Sequence, residues 1–215
     1  MKVFFHYCSY GFSNCYILGT EPLNEGAPKR RFSGEAIIID PGNMDEAILN
    51  FIEHNNYRLL GVLITHDHPN HVHGLRTLKR IYDVDIYAVN RSVLDQKTIM
   101  VKDGEVFDIG SFHIEAITVP GHSADSAVYK IEHLLFTGDA LNAGLLGTTA
   151  SSYGAEVQMS ALRTKLFSLP GNYGIFPGHG PPSTLEVEKR FNAGIQFFEK
   201  NKSKRRTFNV DIRAD

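Results

Sequence analysis

A mixed α/β fold, with its chemistry gathered where strands end, is what this sequence predicts on three observations. Short β-branched and aromatic runs alternate with stretches of helical spacing, so strands and helices share the chain. The run LLGVLIT (59–65) is continuously apolar, as in a strand buried on both faces. Five times an apolar run ends and a metal-ligating or acid–base residue follows at once. In α/β sheets ligands bind beyond the carboxyl ends of the strands, where side chains from several strands converge.

The elements follow in order. VFFHY (3–7), CYIL (15–18) and AIIID (36–40) read as strands, with GTEPLNEGAPKRRFSG (19–34) a polar hairpin loop between them. MDEAILNFIEHN (44–55) places Ala47, Ile48, Phe51 and Ile52 at helical spacing. After the 59–65 strand come a helix over LRTLKRIY (75–82) and a strand over DIYAV (85–89). FHIEAITV (112–119), AVYKI (127–131) and LLFTG (134–138) form a run of strands. AEVQMSALRTKLFSL (155–169) is a helix stopped by Pro170. A strand over YGIF (173–176) and a helix over LEVEKRFNAGIQFFEK (185–200) close the pattern, and the Lys- and Arg-rich segment 201–215 is expected to fray.

Composition excludes several classes of function. A chain of 215 residues fits one domain, 1–215, at roughly 100–200 residues per domain. Its 22 basic and 24 acidic residues leave a net charge of −2, so neither nucleic acid nor an anionic membrane is an expected partner. No apolar stretch approaches the ~18 residues of a bilayer span, and the N-terminus lacks a secretory pattern. Cys8 and Cys15 have neither framework nor CxxC spacing, so a reducing cytoplasm is expected. The oligomeric state is left open. Ten histidines are the outlying count, with four of them between His66 and His73.

The strand exits carry Asp40, then His66, His68 and His71, then His122, Asp139 and His179. On extended backbone His66 and His68 point the same way and can grip one ion. Pro69 then turns the chain, and Asn70 and His71 open the next helix. Three neutral imidazoles with an open fourth position form a catalytic metal pattern. With no cysteine among the ligands, zinc, iron or manganese is expected.

The ordered set Thr65-His66-x-His68-x-Asn70-His71, Asp40, His122, Asp139 and His179 resembles the metallo-β-lactamase superfamily. The stretches NCYIL, IIIDPG, VPGHS, FTGD and PGHGPPST are most similar to its small glyoxalase-II-like hydrolases. The resemblance implies a four-layer αβ/βα sandwich with a metal site along one edge. It implies that His66, His68 and His122 hold a first metal and that His71 and His179 hold a second. Asp139 would bridge the two ions, and Asp40 would orient a histidine or the loop behind it. The implied reaction is hydrolysis of a thioester or other small ester-like bond by a metal-activated hydroxide.

Two positions depart from the family pattern. Asn70 stands where the family has an aspartate that ligates the second metal and handles the attacking water's proton. An amide oxygen is a neutral, poorer ligand and takes up no proton. A full first site and a weak second one are therefore expected. Thr148 stands where an arginine is usual, and only residues 180–215 follow His179, so glutathione recognition is not expected to carry over. Leu141, Leu145, Leu146 and Tyr153 are candidates to line an apolar pocket mouth instead. Asp67 is expected to point away from His66 and His68, and Asp125 and His73 are expected to be structural or surface residues. A mononuclear iron oxygenase of the persulfide-dioxygenase type, built on His66, His122 and Asp139, is the alternative. A non-catalytic ligand-binding protein on a degenerate site is the third reading.

Overall fold

The computed structural model describes residues 1–20 and 32–200. The proposed hairpin loop at 19–34 lies largely outside these residues, and the 201–215 tail wholly so.

Among the described residues the first half of the chain builds one six-stranded sheet. Its strands are β1 (Lys2–Tyr7), β2 (Asn14–Gly19), β3 (Gly34–Ile39), β4 (Tyr57–Leu63), β5 (Asp85–Ala88) and, after a small hairpin of β6 (Ser92–Val93) and β7 (Gln96–Lys97), β8 (Ile99–Met100). β1, β2 and β3 pair antiparallel; β3, β4, β5 and β8 run parallel. The second half builds another six-stranded sheet in the order β14-β13-β12-β11-β10-β9. It consists of β9 (Glu105–Ile109), β10 (Phe112–Thr118), β11 (Ala127–Ile131), β12 (Leu134–Gly138), β13 (Gly174–Pro177) and β14 (Ser183–Thr184). The helices are α1 (Glu46–His54), α2 (Pro69–Val72), α3 (Leu75–Ile81), α4 (Ser152–Ala161) and α5 (Leu185–Phe191), and a further helical stretch covers 193–200.

Strand alternation sorts the apolar residues into three cores, which defines four layers. Tyr16, Leu18, Ile37, Ile39 and Leu63 meet Ile114, Ala127, Tyr129 and Phe136 between the sheets. The opposite faces of the same strands, Ile17, Ile38 and Val62, bury Ile48 and Ile52 of α1 and Leu75 and Leu78 of α3. Outside the second sheet, Val128, Leu135 and Ile175 pack on Leu162, Leu166 and Leu185. The predicted αβ/βα sandwich is thus the architecture found. α1 starts where Asp45 Oδ1 accepts from the N–H groups of Ala47 and Ile48, a cap on two donors that no helical carbonyl can reach.

Four sequence expectations change. The helix expected over 155–169 begins at Ser152, capped by Ser151, and loosens into a π-type turn over Leu162–Leu166. The single helix expected over 185–200 is broken at Asn192, which is extended. There the side-chain Oδ1 accepts from Ile195 N–H and starts the next helical stretch, so the side chain competes with the helix for its own backbone. β6 to β9 and β14 were not expected. Of the four residues expected at a pocket mouth, Leu141 is fully buried in the outer core and Tyr153 is 76% exposed.

Candidate metal centre

Each chemistry-bearing side chain sits just past a strand, along one edge where both sheets end. Asp40 follows β3, His66 and His68 follow β4, His71 lies in α2, and His122, Asp139 and His179 follow β10, β12 and β13. Five segments distant in sequence therefore meet at one place. Three groups of potential ligand atoms gather there, each within 4.8 Å of one another: His66–His68–His122, Asp40–His66–His71 and His71–Asp139–His179.

A hydrogen-bond chain orients the buried histidines. Asp40 is itself buried, with a left-handed backbone (φ 49°) that aspartate tolerates better than most residues. Its Oδ1 accepts from Thr65 N–H (2.8 Å) and its Oδ2 from Thr65 Oγ1–H (2.6 Å) and His71 Nδ1–H (2.9 Å). With the threonine hydroxyl committed to Asp40, His66 Nδ1–H donates to Thr65 Oγ1 (3.1 Å). Both rings then turn Nε2 inward, and neither buried Nε2 has a hydrogen-bond partner. Buried polar atoms are seldom left unpaired, so these two mark a place for a ligand.

His122 is fixed by the loop after Asp139. Its Nδ1–H donates to the Thr148 carbonyl (2.6 Å), and its Nε2 stands 3.0 Å from His68 Nδ1. Two ring nitrogens that close require a proton or a cation between them. Gly147 permits this approach, because an added Cβ would collide with the Asp139 carbonyl oxygen. Gly178 does the same on the other side, where a Cβ would strike the Asp139 carboxylate and the His71 ring.

Asp139 divides its oxygens between the groups. Oδ2 is 3.6 Å from His122 Nε2, whereas Oδ1 is 3.7 Å from His71 Nε2 and accepts from His179 Nδ1–H at 2.8 Å. Asn70 faces the second group, its amide 3.1 Å from His179 Nε2.

Protonation follows from these contacts. Burial, with the neighbouring imidazoles, pushes His66 down to about 2, so its Nε2 lone pair is free at neutral pH. Burial also lowers His68. His71 goes the other way. Burial would depress it, but the Asp139 carboxylate 3.7 Å from its Nε2 and the hydrogen bond to Asp40 raise it to about 9. Burial works against ionised Asp139, yet the hydrogen bond from His179 and the nearby His71 imidazolium hold it well below the usual carboxylate range. An imidazolium between two carboxylates occupies a position equally suited to a metal cation.

The expected structural residues have structural partners. Asp125 Oδ2 accepts from Asp67 N–H and Asn90 Nδ2–H, both at 2.9 Å, and so anchors the histidine loop. His73 stacks on Tyr10 with ring centroids 4.0 Å apart. Several supporting groups had no sequence signal. Asn14 Nδ2–H and Tyr16 O–H donate to the Pro177 carbonyl at 2.9 and 2.7 Å and hold the His179 turn. Buried Glu188 accepts from Gly144 N–H (2.9 Å), and Asn192 Nδ2–H donates to the Leu145 carbonyl (3.1 Å). The final helices thereby brace the loop that orients His122.

Fold and site together define a metallo-hydrolase of the superfamily the sequence resembles. The model of the metallo-β-lactamase superfamily matches residues 30–179, and the chain belongs to that superfamily. Among curated relatives it is 31% identical over 177 residues to a probable polyketide biosynthesis zinc-dependent hydrolase, BaeB, of Bacillus velezensis, covering 78% of each chain. It is 37% identical to a hydroxyacylglutathione hydrolase of Francisella philomiragia, covering 67% of this chain but only 58% of that enzyme. The crystal structure of ETHE1 from Myxococcus xanthus superposes with a TM-score of 0.74 at 25% identity, over 90% of this chain and 84% of that one.

Proposed function

We propose that the protein is a metal-dependent hydrolase of thioesters or similar small activated esters. The carrying observation is the convergence of His66 Nε2, His68 Nδ1 and His122 Nε2 beside Asp139, with an unpaired buried nitrogen on His66. These three imidazoles would hold the tighter ion, zinc being our first choice, ahead of iron or manganese. A bound divalent ion supplies Lewis acidity and lowers the pKa of water at the site. Thr65 and Asp40 keep the His66 and His71 rings turned inward, and the Thr148 carbonyl does so for His122. Asp139 holds negative charge between the two groups at neutral pH. A departing thiolate needs little help, because thiol pKa values are only ~8.5.

The second group would hold an ion less tightly. There Asp139 already accepts from His179, and Asn70 supplies an amide in place of a carboxylate. Both thiols, Cys8 and Cys15, are free and buried, which suits a cytoplasmic protein. No helix among the described residues is long and apolar enough to cross a membrane.

His66→Ala should abolish thioester turnover while circular dichroism stays native; unchanged turnover would overturn the proposal. A mononuclear iron oxygenase is the second reading, favoured by the 3.6 Å approach of Asp139 to His122 beside a depleted second group. Oxygen uptake with a persulfide, and no thioester turnover, would select it.

A further inference from the structure

We infer that the substrate carries an uncharged hydrocarbon chain, received by a cavity beside the loop that orients His122; this deepens the hydrolase reading above and rests on it. The cavity measures about 430 Å³ and is walled by Leu145, Leu146 and Thr148 of the loop after Asp139, Ala155 of α4 and Phe197 of the 193–200 stretch. Its volume falls in the range of roughly 300–1,000 Å³ typical of small-molecule sites.

Three observations select the occupant. First, the cavity shares a wall with the metal centre, since Thr148 both lines it and receives His122 Nδ1–H at 2.6 Å. Second, among the described residues no lining side chain is cationic, and the charged group among them, Glu156, is an exposed carboxylate. Anionic carrier groups such as the glutathione carboxylates find no cation among these residues, and Glu156 repels them. Third, the wall is braced by the chain's own hydrogen bonds. Ala193 N–H donates to the Gly144 carbonyl (2.8 Å), Asn192 to the Leu145 carbonyl (3.1 Å), and Gln158 Nε2–H to the Ala140 carbonyl (2.8 Å). A preformed apolar cavity spends little of the binding free energy on ordering itself. Leu145 and Phe197 stand 59% and 70% exposed at its edge, and an inserted chain would cover them.

The chain can lie on the acyl or on the thiol side of the scissile bond, and the experiment separates the two. With zinc-loaded full-length protein, kcat/KM is measured for saturated N-acetylcysteamine thioesters of two to twelve acyl carbons. A parallel series of S-alkyl thioacetates lengthens the thiol side instead. In the series whose chain enters the cavity, kcat/KM should rise about three- to fourfold per buried methylene and level off when the cavity is full. Ala155→Phe should flatten that rise, bringing the ratio of the eight-carbon to the two-carbon substrate close to one. Turnover with no length dependence in either series would overturn the cavity assignment and leave the hydrolase reading standing. No turnover of any thioester would overturn the hydrolase reading instead. The cavity is then decided on metal-free protein with neutral N-phenyl-1-naphthylamine. Fluorescence displaced by 1-decanol and lost in Ala155→Phe supports it, and no binding overturns it.

Discussion

Replacing Asp40 by asparagine should uncouple the two metal groups at their shared anchor. Asparagine matches aspartate in size and tolerates the left-handed backbone at φ 49°, so the change is chemical rather than steric. The amide oxygen can still accept from Thr65 N–H, but the amide NH2 would then face Thr65 Oγ1 and His71 Nδ1, where Oδ2 now accepts two hydrogen bonds. At least one charge-assisted hydrogen bond is lost, about 1.5–3 kcal/mol. For a chain of this size that corresponds to a fall in melting temperature of roughly 4–10 °C. In metal-free protein the doubly protonated His71 escapes the donor–donor clash by giving up its Nδ1 proton and keeping the one on Nε2, the nitrogen directed at Asp139. Losing a partner that orients a ligand histidine typically lowers metal affinity ~10–100-fold. Chelator competition on Asp40→Asn should therefore show the weaker ion's affinity falling by that factor, with a smaller loss at the first group through Thr65 and His66. Nitrogen-15 spectra of the His71 ring in metal-free protein should report the loss of the Nδ1 proton near neutral pH. Unchanged melting and unchanged affinity for both ions would refute the role given to Asp40.

Other expectations follow from the same contacts. Asn70→Asp restores a carboxylate beside His179, and affinity for a second zinc, measured by calorimetry, should rise at least ~10-fold. Gly147→Ala drives a Cβ into the Asp139 carbonyl and crowds His122 Nδ1, so kcat should fall by more than ~10-fold as the loop shifts. Metal-free protein should be most stable near neutral pH. His71, raised to about 9, gives stability that is full below its unfolded value near 6.5 and is lost as pH rises through 9, at most about 3 kcal/mol. His66, lowered to about 2, acts oppositely, and its contribution is lost as pH falls below 6.5. Melting curves from pH 5 to 10 check this, and bound metal should remove the alkaline decline by displacing the His71 proton.

Sequence spacing made the site legible because each ligand candidate directly follows a strongly apolar strand. Asp40 at the end of AIIID and Asp139 after LLFTG needed only the strand ends to be located. The inter-sheet core was legible for the same reason, since alternation splits Ile37 and Ile39 from Ile38. What escaped were features decided by distant partners. β6 to β8 are two residues long and carry too little pattern to register, and β14 exists through pairing with β13. Asn192 was expected inside a helix; tertiary hydrogen bonds to Asn142 and Leu145 outweigh a periodic pattern that otherwise continues. The Thr148 carbonyl that turns His122 is backbone, to which side-chain identity gives no clue. Leu141 and Tyr153 were indistinguishable from Leu145 and Leu146 in composition, and only the course of the loop separates them.

Elemental analysis of protein purified without added metal tests the central claim most directly. One tightly held divalent ion per chain, retained through dialysis and lost in His66→Ala and in His122→Ala, is expected. A chain without metal would contradict the assignment of His66, His68 and His122, and two equally retained ions would contradict the weakened second group around Asn70.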